Sequence, residues 1–301
     1  MPGKEQGAAS RLAAILALEG MDGVGRVTAR KILDQFGSLG EIERFPREQI
    51  LNRLRRVQNA AQLVDRLLDQ EFVGEALAAA ERTIDELARR QVVVLTSEDA
   101  GWPAGFEALP KSHRPNVLYT YGNLKLLGEP SVAILGSAPV AEGPFEAAQT
   151  LVRKLASAGT IVSCSASDGL DTVIIKILLS ENALPLLLAG CGLAKIAAGL
   201  RSSVSSAVKT GGLLASSFHM PHGPFEHDVR ERTLVQAAIA KATVFIEPQE
   251  RGFTWDALQW SLDQGKPVFA LTTTPLPDRV HVIRDEVDMD WVLAAIRHVP
   301  E

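Results

Sequence analysis

Between residues 131 and 271, short apolar runs alternate with stretches of helical spacing, and three of the first runs end in residues without bulk. Val132-Ala133-Ile134-Leu135 leads into Gly136-Ser137, and Ile161-Val162 into Ser163-Cys164-Ser165-Ala166-Ser167. Leu186-Leu187-Leu188 is followed by Gly190-Cys191-Gly192, while Gly211-Gly212 opens the run Leu213-Leu214-Ala215. Apolar runs of this kind, separated by helical patterns, read as strands of a parallel sheet buried on both faces. In such sheets a ligand lies in the crevice beyond the carboxyl ends of the strands. Small side chains there let phosphate groups approach backbone N–H donors. The expected fold class is α/β, a Rossmann-like and mostly parallel sheet with a binding edge for a phosphorylated ligand. Nothing in the pattern announces a reaction.

Helical spacing predicts helices near 143–158, 169–182, 199–210, 229–241 and 254–264, with strands at 160–163, 184–189, 213–215, 244–246 and 268–271. Upstream, residues 10–90 read as helices throughout, from Leu12-Ala13-Ala14-Ile15-Leu16 to Leu77, Ile84 and Leu87, and Val92-Val93-Val94-Leu95 is the first strand signal. Three segments are therefore expected. Residues 1–90 form a small all-α helix–hairpin–helix (SAM-like) domain, 91–272 an extended Rossmann-like domain, and 273–301 a short appendage with one strand and one helix. The hairpin is read at Gly23-Val24-Gly25, with Thr28 and Lys31 on the helix that follows. Such hairpins either offer N–H groups to a nucleic-acid phosphate, a contact without base information, or serve only as structural and docking elements.

A net charge of −5 gives no global attraction to nucleic acid. The first 90 residues balance 14 basic against 14 acidic side chains, so any basic face there must be local, as in the five arginines between Arg44 and Arg56. No run approaches the length of a membrane span and the first ten residues lack a signal-like apolar stretch, so the expectation is a cytoplasmic protein with no membrane contact. Cys164 and Cys191 are expected to be inert packing residues in that setting. His219, His222 and His227 fall within nine residues, but Pro221 and Pro224 break the segment, and no metal or other cofactor is expected. Glu247, Asp256 and Asp171 lack a nucleophile between them, which argues against a hydrolase.

A longer series of motifs carries a family resemblance. Trp102-Pro103-Ala104-Gly105-Phe106, Pro115-Asn116-Val117-Leu118-Tyr119-Thr120-Tyr121-Gly122-Asn123 and Val132 to Ser137 come first; Ser163 to Asp171, Gly190-Cys191-Gly192-Leu193, Arg230-Glu231-Arg232, Phe245-Ile246-Glu247 and Gly265-Lys266-Pro267-Val268 follow. In this order and approximate spacing they resemble the DNA-processing protein DprA (Smf) family over about residues 10–272. The resemblance implies a Rossmann-like domain that binds single-stranded DNA with little sequence preference. It also implies dimerisation through the carboxyl half of that domain, transfer of the strand to a RecA-type recombinase during natural transformation, and no catalytic role. The DNA- or phosphate-binding positions it suggests, together with nearby cations, are Gly136, Ser137, Ser163, Ser165, Gly169, Asp171, Gly190, Gly192, Lys195, Arg201, Arg230, Arg232 and Arg251.

The chain departs from the family pattern in several places. The family's Gly-Ser-Arg ends here in Ala138, so a phosphate-binding arginine is replaced. The Ser163–Asp171 segment carries one extra residue, a cysteine for a glycine and the added carboxylate Asp168. Arg-Asn-Arg becomes Arg230-Glu231-Arg232, and a Ser-Gly-rich turn shrinks to Arg251-Gly252-Phe253-Thr254. Each lost phosphate contact removes about one unit of salt dependence, so weak or altered strand binding is expected. Two alternatives stand beside this reading. One is a regulatory, antitoxin-like member of a defence operon whose partner is a cognate toxin or defence protein. The other is a Rossmann-fold nucleotide-processing enzyme, which would need a Pro-Gly-Gly-x-Gly-Thr phosphate loop, whereas Gly211-Gly212 leads into a strand.

Overall fold

The computed structural model describes the backbone of residues 3–136 and 140–297, with side chains from residue 11 onward. The chain divides into two compact units, Met1–Trp102 with Pro115–Val117, and Pro103–Arg114 with Leu118–Glu301.

The first unit contains helices α1 (Gly3–Glu19), α2 (Arg26–Phe36), α3 (Arg47–Leu54), α4 (Ala60–Leu68) and α5 (Gln70–Arg89), followed by strand β1 (Val92–Thr96). Apolar residues at three- and four-residue spacing give each helix its inner face. Ala29, Ile32, Leu33 and Phe36 do so on α2, and Leu63, Val64 and Leu67 on α4. Gly37, at φ 75°, ends α2 in the left-handed conformation that a glycine tolerates best. The Asp69 carboxylate starts α5 by accepting the N–H groups of Glu71 and Phe72, each at 3.1 Å. Asn116 joins the hairpin to the chain returning through this unit, donating from Nδ2 to Glu19 Oε1 and to the Arg26 carbonyl. Arg53 is part of the packing rather than of a basic surface. Its guanidinium lies over the Phe45 ring at 4.4 Å and donates to the Gln35 carbonyl.

The second unit is built on strands β2 (Val117–Gly122), β3 (Ser131–Gly136), β4 (Ile161–Ser165), β5 (Pro185–Leu188), β6 (Leu213–Ser216), β7 (Ala242–Ile246), β8 (Val268–Leu271) and β9 (His281–Val282). Their order is β2-β6-β5-β4-β3-β7-β8-β9. The β2–β6 pair is antiparallel and the pairs from β6 through to β9 are parallel. The helices are α6 (Glu142–Ser157), α7 (Leu170–Ser180), α8 (Arg201–Lys209), α9 (Asp228–Ile239), α10 (Phe253–Asp263) and α11 (Glu286–Arg297). From β3 the strand order runs outward in both directions, toward β4 and toward β7. This makes the end of β3, at Gly136, the topological switch point where a crevice opens.

Alternate residues of the central strands (Val132, Ile134, Val162, Cys164, Val244, Ile246) join Leu151, Ile174, Val204 and Val292 from α6, α7, α8 and α11 in one apolar core. Helices α9 and α10 contribute nothing to that cluster and pack against each other. Helix α9 is tied to the sheet by hydrogen bonds. Gln236 Nε2 donates to the carbonyls of Ile134 (3.1 Å) and Ser163 (3.0 Å), bridging β3 and β4. At the helix end, Lys266 Nζ donates to the Ala237 carbonyl at 2.6 Å, and burial lowers its pKa to about 8. A side chain at Gly105 would overlap the Ala238 carbonyl, so the Pro103–Arg114 segment closes directly onto the same helix end.

Two expected boundaries differ from the observed units. The helical domain expected to end at residue 90 continues as a compact unit through β1 to Trp102 and regains Pro115–Val117. The residues after 272 are integral to the sheet unit rather than appended to it. Strand β9 pairs in parallel with β8, Phe269 with His281 and Ala270 with Val282, and Met289, Val292, Leu293 and Ile296 of α11 belong to the main core. Among the described residues no helix is long and apolar enough to cross a membrane.

Candidate functional site

At the carboxyl ends of β3, β4 and β7 the second unit opens into a cleft of about 720 Å³. Its lining comes from Gly136, the 167–171 loop, Val229 and Arg232 of α9, and the 249–254 segment that enters α10. Val140, Phe145, Leu170 and Phe253 supply apolar wall. Gly136 permits this closeness, since a Cβ there would lie 2.6 Å from Leu170 Cδ2. Gly169, at φ 84°, turns the chain into α7.

The loop after β4 is shaped by Asp171. Its Oδ1 accepts the Ser165 N–H at 2.9 Å and its Oδ2 accepts the Ser167 hydroxyl at 2.7 Å. Desolvation lifts this carboxyl above the ordinary aspartate range, against the opposing pull of Arg232 and of those two hydrogen bonds. Arg232 is only 8% exposed. Burial lowers its pKa while the charge of Asp171 raises it. One terminal nitrogen reaches Ser167 Oγ at a long 3.4 Å, and Nε is buried without a partner. The thiols of Cys164 and Cys191 are free, buried and pushed up by desolvation first, which leaves them poor nucleophiles.

The candidate positions separate into groups. Gly136, Gly169, Asp171 and Arg232 do line the cleft. Ser163 is corrected: β4 runs three residues past its apolar start, so this serine sits inside the strand, fully buried and paired with Ala133 and Leu186. Ser165 closes the same strand, is 2% exposed, and gives its N–H to Asp171 rather than to a ligand. Asp171 is likewise a clamp on its own loop. Gly190 lies beside the Arg232 side chain. Gly192 is also corrected, because a Cβ there would overlap the carbonyl oxygens of His219 and Met220, and its N–H donates to the His222 carbonyl at 2.9 Å. The β6–α9 loop, not a phosphate, occupies the space this glycine leaves.

Lys195 and Arg201 are exposed, on the segment after β5 and outside the cleft lining, and Arg201 Nε donates to the Ile196 carbonyl. Arg230 is exposed at the rim, with Nε 3.0 Å from Asp256 Oδ2. Arg251 is exposed in a loop where it and Glu247 both hold left-handed backbone, at φ 65° and 45°. Glu247 Oε1 fixes that loop by accepting the N–H and hydroxyl of Thr273. Ser137, with Ala138, lies outside the described residues.

Sequence reasoning missed the aromatic part of the site. Phe253, 36% exposed, and Phe145 line the cleft. In the loop before α9, Phe225 is 53% exposed and stacks on His227, ring centroids 5.6 Å apart and planes 5° from parallel. The buried Asp228 carboxylate organises this loop, accepting from the Phe225 N–H and meeting His222 Nε2 at 2.9 Å and His227 Nε2 at 3.3 Å. Only an isolated Phe among His, Pro and Gly residues could have signalled it.

The first unit carries the glycines read as a hairpin just ahead of α2. Gly23 holds φ 80°, Val24 is buried, and Gly25 precedes α2, whose first and second turns carry Thr28 and Lys31 at half-buried positions. Beside it lies a polar recess of about 230 Å³ lined by Asp22, Gln58, Asn59, Gln62 and Arg66, with Arg66 donating to the Asp22 carbonyl.

Comparison with known proteins places this architecture. The DNA recombination-mediator protein A family model matches residues 93–285. Protein Smf of Escherichia coli (strain K12) is 24% identical over 166 residues, 55% of this chain and 44% of that protein. The chain spans about half the length of the curated relatives it matches. DNA processing protein A of Streptococcus pneumoniae has the same fold, with a TM-score of 0.59 at 16% identity over 92% of this chain and 99% of that one. The Helicobacter pylori protein of that name, whose structure was solved to explain its single-stranded DNA binding mode, gives a TM-score of 0.57 at 19% identity over 68% of this chain and 97% of that one. On the strength of a family model that covers well over half its residues, the chain belongs to the DNA recombination-mediator protein A family.

Proposed function

We propose that this protein binds single-stranded DNA along the carboxyl edge of its sheet and acts in DNA processing by presenting the strand, not by cutting or joining it. One observation carries the reading: guanidinium groups and open aromatic rings converge on the same edge. Arg230 and Arg251 are exposed there, Phe253 lines the cleft, and the Phe225–His227 stack directly precedes α9. Sequence-tolerant strand binding uses these two surfaces, cations for the backbone and rings for the bases. The pairing of Arg230 with Asp256 is exposed and worth no more than about 1 kcal/mol, so a phosphate can displace it. Family membership and the single-stranded DNA binding of the Helicobacter pylori protein support the same ligand. The finer reading is a cytoplasmic homodimer that passes the strand to a RecA-type recombinase.

The test is a fluorescence-anisotropy titration with labelled oligo-dT at several salt concentrations. Binding is expected to weaken as salt rises, with a log–log slope of about −1.5 to −2 for two or three phosphate contacts. The Arg230→Ala, Arg251→Ala double variant should flatten that slope by about one unit or more, whereas Lys195→Ala should leave it unchanged. Absence of binding at low salt would refute the proposal.

A further inference from the structure

Of the five arginines between Arg44 and Arg56, three are already engaged. Arg44 pairs with Glu41 at 3.2 Å, Arg47 makes two bonds to the Asp65 carboxylate at 2.7 and 3.1 Å, and Arg53 lies over Phe45. Arg55 and Arg56 remain, exposed and without a partner among the described residues. They stand just ahead of Gln58 and Asn59, which with Gln62 and Arg66 form one side of the polar recess of about 230 Å³. The hairpin residues Asp22, Gly23 and Val24 form the other side. A Cβ at Gly23 or Gly25 would meet nothing within 4 Å, so the main chain there is open to an approaching group. One terminal nitrogen of Arg66 donates to the Asp22 carbonyl, which holds the guanidinium at the recess. The lining alone is balanced, Asp22 against Arg66, and the two free arginines beside it tip this face positive. No aromatic ring of this unit is exposed among the described residues. Phe36 is buried, and Phe45 and Phe72 are half-buried and face the guanidinium groups of Arg53 and Arg66.

We propose that this face of the first unit binds the phosphate backbone of duplex DNA, with Arg55 and Arg56 on successive phosphates and Arg66, Gln58 and Gln62 around a phosphate seated in the recess. Charge and the lack of open rings together select that partner. A single strand bound without sequence preference is held by cations for its backbone and rings for its unstacked bases. A duplex keeps its bases stacked inside and offers phosphates outward, so cations and amide donors suffice, and the contact carries no base information. Guanidinium groups and carboxamide N–H groups are donors that suit phosphate oxygens. Asp22 opposes the ligand and limits the affinity of the recess. The inference goes beyond the single-strand reading and does not depend on it: it uses residues ahead of the 93–285 family match and none of those at the sheet edge.

The experiment titrates the full chain with a short, labelled, blunt-ended duplex and separately with oligo-dT, each at several salt concentrations, with folding checked by circular dichroism. Wild type is compared with the Arg55→Ala, Arg56→Ala double variant and with Asp22→Asn. Duplex binding is expected to show a log–log salt slope of about −2.7 for three phosphate contacts, falling to about −0.9 in the double variant. Oligo-dT binding should keep its slope. Asp22→Asn removes an exposed opposing charge and should tighten duplex binding by about two- to five-fold; it acts in the opposite direction, so a general loss of structure cannot imitate it. A duplex that does not bind at low salt overturns the inference. So does a slope that the double variant leaves unchanged, which would place the duplex elsewhere on the protein. An equal loss of oligo-dT binding in that variant overturns it too, because the arginines would then serve the single strand. Duplex binding with the expected slopes in a protein that ignores oligo-dT would instead retain this surface and remove the single-strand reading.

Discussion

The turns that follow β4 and β5 look alike in sequence and have opposite fates. Both are runs of small residues at the end of an apolar strand, Ser163 to Ser167 in one case and Gly190-Cys191-Gly192 in the other. The first opens onto the cleft, its loop held in shape from within by Asp171. The second is closed, because the carbonyls of His219 and Met220 fill the space beside Gly192. Small residues at a strand end record that something comes close. They do not record whether it is a ligand or another stretch of the same chain.

The sharpest test of that contrast is substitution of the two glycines. Gly192→Val drives a side chain into two backbone carbonyls that cannot move aside, so a loss of about 3 kcal/mol is expected in urea unfolding. Gly169→Ala meets no neighbouring atom and carries only the strain of φ 84°, roughly 1–2 kcal/mol. Equal losses would dissolve the distinction between open and closed turns.

Asp171→Ala probes the open side. It removes the acceptor for the Ser165 N–H and the Ser167 hydroxyl and strips Arg232 of the opposite charge facing it. About 2 kcal/mol of stability should go, together with a change in oligo-dT affinity as the loop loses its form. Unaltered stability would mean that the carboxylate is free for a ligand after all.

The smallest effect belongs to the closed side and concerns pH. Burial, followed by the nearby His222, holds His219 below the usual imidazole range. The folded protein therefore takes up its proton later than the unfolded chain does. Stability should decline as pH drops below about 6.5, where the unfolded chain begins to protonate this group. His219→Asn should flatten the decline measured by urea midpoints between pH 7 and 5. An identical slope in the variant would show that the loop docks without regard to this ring.

Much of the sheet unit was legible because burial leaves a period in the sequence. Val268–Leu271 is predicted and observed with the same bounds, and the helices read near 143–158, 229–241 and 254–264 lie within two residues of α6, α9 and α10. What periodicity cannot convey is the identity of the atoms across a gap. Ser165 looks like a loop residue because hydroxyls interrupt an apolar run, yet parallel pairing with β5 continues through it. Asp171 looks like a ligand because carboxylates usually face outward, and here its partners lie within six residues of it. Phe225 left no trace because one aromatic residue in a turn has no period at all. Met289, Val292, Leu293 and Ile296 do show helical spacing, but spacing alone does not say that the helix completes an existing core.

Helix α9 carries Arg230 and Arg232 and is fastened at two levels, by Gln236 to β3 and β4 and by Lys266 at its far end. Its wall of the cleft is thus ordered once, when the chain folds, and not anew at each encounter. Preorganisation of this kind spares a ligand the entropy of arranging its own receptor, so whatever enters the cleft needs to adapt only itself.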